Sequence, residues 1–247
     1  MTVVRWLARG MREVPEADDW LSPAEVARLS TLRFAKRRSE LRLARWTAKH
    51  LIARTLALGT DREALALIEI RPAPTGAPRA FHAGAPAALA VSMTDRADWA
   101  VCAAGPAGLA LGCDLELVEP RTDAFVRDWF TARERDVVFG AEPGEARHVL
   151  ANLIWSAKES ALKVLQTGLR RDTRSVEVEL GGSAGTAGWA GLRVRVQEGT
   201  VFPGWWRRYG DFLLTCVADA GHRPPECVEE PPSLATAVPS HTWFTEL

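Results

Sequence analysis

Two long helical stretches, about 32–56 and roughly 145–165, each followed by short strand-like runs, constrain this chain more than any other feature. The second has one apolar face, with Leu150, Leu153, Ile154, Ala157, Ala161 and Val164 recurring at helical spacing. The first is crowded with cations: Arg33, Lys36, Arg37, Arg38, Arg42, Arg45 and Lys49. Strand signals follow the first at 67–71, 89–93 and 99–103, and the second at 176–180, 192–196 and 212–217. Helices and sheets hide their apolar faces by packing together. The repeated order therefore predicts an α+β fold of two similar halves, each a small, mostly antiparallel sheet packed with a long helix. No matching repeat is visible at the residue level.

Smaller signals fill in the order. Strand-like 3–7 opens the chain, and Ser22-Pro23-Ala24-Glu25 reads as a capping box with Pro at the first helical position. Thr131 with Glu134 reads as a second box. The Pro- and Gly-rich stretch 72–86 reads as loop. A boundary ahead of Gly105-Pro106 gives units of 1–104 and 105–223, then an irregular Pro-rich, acidic tail of 224–247 that carries Trp243 and Phe244.

Basic and acidic side chains balance at 31 each, which argues against a globally basic nucleic-acid binder. No run of about 18 apolar residues occurs, so no membrane span is expected. Arg5 and Arg9 interrupt the N-terminal apolar run, which lacks a signal-peptide core, so a cytoplasmic location is expected. Cys102, Cys113, Cys216 and Cys227 are scattered without C-x-x-C spacing and are expected to be reduced thiols.

Two segments carry chemistry. In Leu111-Gly112-Cys113-Asp114-Leu115-Glu116-Leu117, strand alternation puts Asp114 and Glu116 on one face. Crowded carboxylates repel each other, and a cation between them relieves this; oxygen ligands of this kind suit magnesium beside a phosphate. A solvent-facing strand edge would give the same pattern. In Trp155-Ser156-Ala157-Lys158-Glu159-Ser160-Ala161-Leu162-Lys163, Glu159 and Lys163 share a helix face. That pair is either a third carboxylate with a phosphate contact or a surface ion pair. The cations of the first helix are either a solvated face or, in part, phosphate ligands.

Together these segments resemble the 4′-phosphopantetheinyl transferase superfamily, and most closely its surfactin-synthetase-activating type, built of two pseudo-symmetric halves in one chain. The family's G-[I/V]-D-x-E strand reads Gly112-Cys113-Asp114-Leu115-Glu116 here, and its W-[S/T/C]-x-K-E-[S/A]-x-x-K helix reads Trp155 through Lys163. The resemblance implies that Asp114, Glu116 and Glu159 hold Mg2+ beside the diphosphate of coenzyme A, the substrate. It implies that Lys163 contacts that diphosphate and that Glu159 is the general base. Arg33 and Arg45 stand where the family grips the 3′-phosphate, Ser92 lies near the coenzyme, and Lys158 steadies the helix. The implied acceptor is a serine of an apo acyl or peptidyl carrier protein, the implied product 3′,5′-adenosine diphosphate, and the implied state a monomer.

Two departures stand out: the family's Ser-His reads Ser92-Met93, and its Gly-Lys-Pro reads Gly76-Ala77-Pro78. Arg71, Arg79 and Arg96 are the nearby cations that could compensate. Phe125, Trp129 and Phe130 form either a carrier-docking surface, with Arg121 and Arg127 steering acidic residues, or part of the core. A non-catalytic coenzyme-binding module and a nucleic-acid phosphate clamp are the competing classes.

Overall fold

The computed structural model describes residues 2–181, 188–229 and 233–240; Trp243 and Phe244 lie outside them. The chain runs β1 (Arg5–Gly10), α1 (Pro23–Thr31), α2 (Ala35–Thr55), α3 (Arg62–Ala66), β2 (Ile68–Pro72), β3 (Pro78–His82), β4 (Ala85–Arg96) and β5 (Trp99–Pro106). It continues as β6 (Leu111–Leu117), α4 (Asp123–Trp129), α5 (Ala132–Gly140), α6 (Glu145–Val164), β7 (Val176–Leu180), β8 (Ala190–Val196), β9 (Val201–Tyr209), β10 (Phe212–Ala218) and β11 (Glu226–Cys227). One sheet has the order β11-β1-β5-β4-β3-β2 and the other β6-β10-β9-β8-β7. Without β11 the two orders are the same, element for element. All pairings are antiparallel except β1 with β11. The fold is the expected α+β class, with α2 against the first sheet and α6 against the second.

Three strands differ from the sequence reading. β3 lies inside the stretch read as loop, with Pro78 as its first residue, a position where its missing N–H costs no ladder bond. The turn to β4 is made by Ala83 and Gly84, both at positive φ. β9 contains Pro203 and Gly204, which disguise it. Gly204 is needed there, because a Cβ would meet the Cys216 carbonyl oxygen and Leu192. In the segment read as an irregular tail, Glu226 and Cys227 pair with Arg5 and Trp6 as a sixth strand.

Both capping boxes form, and each glutamate does more than cap. Glu25 accepts from Ile70 N (3.2 Å) and pairs with Lys49 Nζ (2.7 Å), which also donates to the Trp20 and Leu65 carbonyls. Glu134 accepts from Val178 N (2.7 Å) and pairs with Lys158 Nζ (2.8 Å), which also donates to the Thr173 and Val176 carbonyls. Both lysines are fully buried, and burial lowers the pKa of each against its glutamate partner. A residue-level repeat therefore exists: [S/T]-x-x-E at α1 and α5, and W-x-x-K at Trp46–Lys49 and Trp155–Lys158. It escapes a reading of the sequence because only polar anchors repeat, while the apolar positions between them are interchangeable.

The sheets share a core in which Trp6, Val101 and Ala103 meet Cys113, Leu115, Phe212 and Leu214. The outer edge of β6 runs beside β4. There Cys113 N donates to Ser92 Oγ (2.9 Å) and Leu115 N to Thr94 Oγ1 (3.3 Å), so two hydroxyls satisfy strand amides that have no sheet partner. Just past β11, Glu229 is gripped by Arg9 (two bonds of 2.5 Å) and Arg54 (2.5 Å).

Candidate active site

The site begins where β6 crosses α6. Gly112 makes that crossing possible, because a Cβ there would overlap the Ser160 carbonyl oxygen. Asp114 and Glu116 face Thr215 and Leu213 across the β6–β10 ladder and share a side of the sheet. Behind them Ser156 Oγ and Ser160 Oγ bond to Thr215 Oγ1 (2.9 and 2.7 Å), fixing α6 on β10.

Asp114 Oδ1 accepts from Lys163 Nζ (2.8 Å) and Thr94 Oγ1 (3.1 Å), while its Oδ2 is buried without a hydrogen-bond partner. Lys163 also donates to the Cys113 carbonyl (2.8 Å). Its partner is thus Asp114 on the strand rather than Glu159 one turn away. Burial works against the Lys163 charge, but Asp114, Cys113 and Glu159 together outweigh it and raise the pKa. Glu116 is held by Arg96 (3.3 Å) and Arg121 (3.1 Å). Burial first, then Asp114, pushes it up to about 7. Glu159 makes no hydrogen bond to the described residues, and burial followed by Asp114 pushes it up to about 7 as well. Glu116 on the strand and Glu159 on the helix thus both feel the charge of Asp114.

Among the described residues, no three His, Cys, Asp or Glu side chains are gathered closely enough to hold an ion as they stand. The donor set nevertheless suits a hard divalent cation. Asp114 Oδ2 is a buried acceptor without a partner among the described residues, and burial, then the charge of Asp114, opposes the ionisation of Glu116 and Glu159, which such a cation would favour.

Beside this cluster lies a cleft of about 730 Å3, walled by residues 75–81, β4, residues 107–111 and the end of α6. Lys163 belongs to both, binding Asp114 and lining the cleft. Ser92 and Met93 line it too, although the Ser92 hydroxyl is occupied by Cys113 N. Arg33 is exposed ahead of α2. Arg45 is buried, ion-paired to Glu25 (3.2 Å), with its other end against Met93 Sδ (3.9 Å). Arg71 is bound to Glu69 and lies over the Phe81 ring. Arg96 is spent on Glu116 and Glu119. None of Arg33, Arg45, Arg71 and Arg96 lines the cleft; Arg79 does.

Of the aromatic group, Phe130 is core, Phe125 packs edge-on to Trp155 (5.0 Å), and Trp129 is 41% exposed. Arg121 is tied inward to Glu116 and Asn152. The sequence reading missed Thr94, Thr215, Arg121 as a partner of Glu116, and Glu119. These are neighbours through space from three or more elements, and no local spacing marks them.

Residues 110–200 match the family described as ACPS, the 4′-phosphopantetheinyl transferase superfamily. No curated protein sequence matches the chain. Among solved structures, the chain is similar to the holo-[acyl-carrier-protein] synthase of Thermotoga maritima at 20% identity and a TM-score of 0.35, over 53% of this chain and 76% of that one.

Proposed function

We propose that this chain transfers the 4′-phosphopantetheine arm of coenzyme A to a serine of an apo acyl or peptidyl carrier protein. The reaction depends on Mg2+ and releases 3′,5′-adenosine diphosphate. The observation that carries this reading is Lys163, which joins the carboxylate cluster to the cleft. The match of residues 110–200 to the superfamily supports it independently, since that span includes Asp114, Glu116, Glu159 and Lys163.

Asp114, Glu116 and Glu159 would hold the magnesium ion, which supplies positive charge beside the diphosphate as the phosphorus–oxygen bond breaks. Lys163 keeps its charge through Asp114 and offers a further N–H to the diphosphate oxygens. That contact strengthens as negative charge grows on the leaving group, so it lowers the barrier rather than merely tightening binding. Glu159, without a hydrogen-bond partner among the described residues, would take the serine proton directly or through one water. Arg96 and Arg121 keep Glu116 oriented toward the cluster.

Met93 and Ala77 in place of the family's histidine and lysine favour a second reading, a coenzyme-binding module without turnover. A mass-shift assay separates the two: the protein, coenzyme A and Mg2+ are incubated with a panel of apo-carriers. A carrier gaining the mass of phosphopantetheine supports the transferase. Tight coenzyme binding with no mass gain on any carrier supports the module.

A further inference from the structure

The cleft walls carry three cations, Arg79, Lys163 and Arg170, and no Asp or Glu. The chain as a whole balances its charges at 31 each, so an acid-free wall is a local feature. Lys163 is compensated by Asp114. Arg79 and Arg170 are not.

Arg79 stands on β3 between Pro78 and Ala80; Ala80 turns into the core, so Arg79 turns the other way. It is exposed and has no hydrogen-bond or ion-pair partner among the described residues. Its ladder neighbour Arg71 is already neutralised by Glu69. Arg170 ends the turn Gly168–Arg170 that follows α6, and so comes from the other half. One of its nitrogens donates to the Thr75 and Gln166 carbonyls (3.0 and 3.2 Å), which anchors the guanidinium without cancelling its charge. The Thr75 hydroxyl donates to Gln166 Oε1 (2.9 Å), holding the β2–β3 turn and the end of α6 together at this place. The cleft thus has one cation bound to the carboxylate cluster, two further, uncompensated arginines, and apolar wall from Leu89, Val91, Met93, Leu109, Leu111 and Val164.

Such a cleft fits a ligand with two separate anionic groups. Coenzyme A has two, the reacting diphosphate and the 3′-phosphate monoester. Because Lys163 and the acids fix the diphosphate end, we infer that Arg79 and Arg170 hold the 3′-phosphate, clamping it from opposite halves. This assignment rests on the transferase reading. It moves the 3′-phosphate contact away from Arg45, whose side chain is committed to Glu25. Arginine's planar fork suits a phosphate dianion, and two forks can engage it together.

The test is calorimetric affinity for coenzyme A and for 3′-dephospho-coenzyme A, alongside the carrier assay. Arg79→Ala and Arg170→Ala should each weaken coenzyme A binding about tenfold or more. Affinity for the dephospho compound should stay within about twofold, because the lost charge has no partner there. Arg79→Lys should recover part of the loss. Since Arg170 also anchors the β2–β3 turn, Arg79 is the cleaner arm, and an unaltered thermal transition qualifies each variant. In the carrier assay the loss should appear as a raised KM for coenzyme A. Equal weakening toward the two ligands, or none toward either, overturns the clamp. If the variants lose this discrimination while the wild-type protein modifies no carrier, the clamp stands and the transferase is removed. A wild-type protein that binds neither compound removes both.

Discussion

A Cβ at position 112 would occupy the space of the Ser160 carbonyl oxygen, so strand and helix can meet only over a glycine. Gly112→Ala should push α6 off β6 and cost about 1–3 kcal/mol or more, read as a lower denaturant midpoint. The carboxylates would separate with it. Glu159→Gln removes the proton acceptor and one anion while keeping the shape. We expect transfer to fall by at least about a hundredfold with coenzyme A affinity retained; turnover within a few-fold of wild type would take Glu159 out of the mechanism. His50 gives a pH prediction. Both ring nitrogens are buried without hydrogen-bond partners among the described residues, and Trp46 packs edge-on at 4.3 Å. Burial, then Arg9 and Arg54, lowers its pKa to about 4, from an ordinary 6.5. The unfolded chain therefore takes up the proton first, and stability present above pH 6.5 is lost as pH falls toward 4. His50→Gln should flatten the pH dependence of the melting temperature in that window; an unchanged slope would show that His50 does not contribute.

At the level of elements, the buried Lys158–Glu134 and Lys49–Glu25 pairs tie each long helix to a short helix and to a strand. Lys158→Met leaves Glu134 buried without its cation and should cost about 3–5 kcal/mol. Adding Glu134→Gln should restore part of that, because the uncompensated charge is gone. Chemical denaturation of both variants measures the difference, and a double variant no more stable than the single would argue against a charge effect. The long helices were legible in the sequence because apolar periodicity and length speak directly about helices. So were the two capping boxes, which are local by nature. β3 and β9 were hidden because Pro78, Pro203 and Gly204 read as breakers, whereas Pro78 only opens its strand and close packing requires Gly204. The Asp114–Glu116 strand and the Glu159–Lys163 helix could be read as motifs. That Lys163 would bind across to Asp114, and that Arg96 and Arg121 would flank Glu116, is decided by the crossing of β6, β4 and α6, which no local spacing encodes.

Across the whole molecule, the second-half plan repeats the first, with β11 added at one edge. The Arg9–Glu229–Arg54 clasp fastens the segment after β10 onto the first half, beside Ser233, which donates to the Ala8 carbonyl (2.9 Å). Glu229→Ala should leave Arg9, only 7% exposed, without its carboxylate partner at that end. We expect a loss on the order of 1–2 kcal/mol and faster limited proteolysis beyond residue 220; unchanged cleavage would mean that the clasp does not hold the segment.

The buried lysine is followed by His50 in one half and Glu159 in the other, and five residues on by Arg54 and Lys163. On the first strand of each plan stand Arg9 and Glu116, facing Ala100 and Leu213. One copy thus gathers bases and shuts them with Glu229, while the other gathers acids around Lys163 and leaves Asp114 Oδ2 without a partner among the described residues. A body assembled twice from one blueprint would otherwise offer two interchangeable ends. The exchange of His50 for Glu159 removes that equivalence, so the two halves are chemically unlike where their folds are alike.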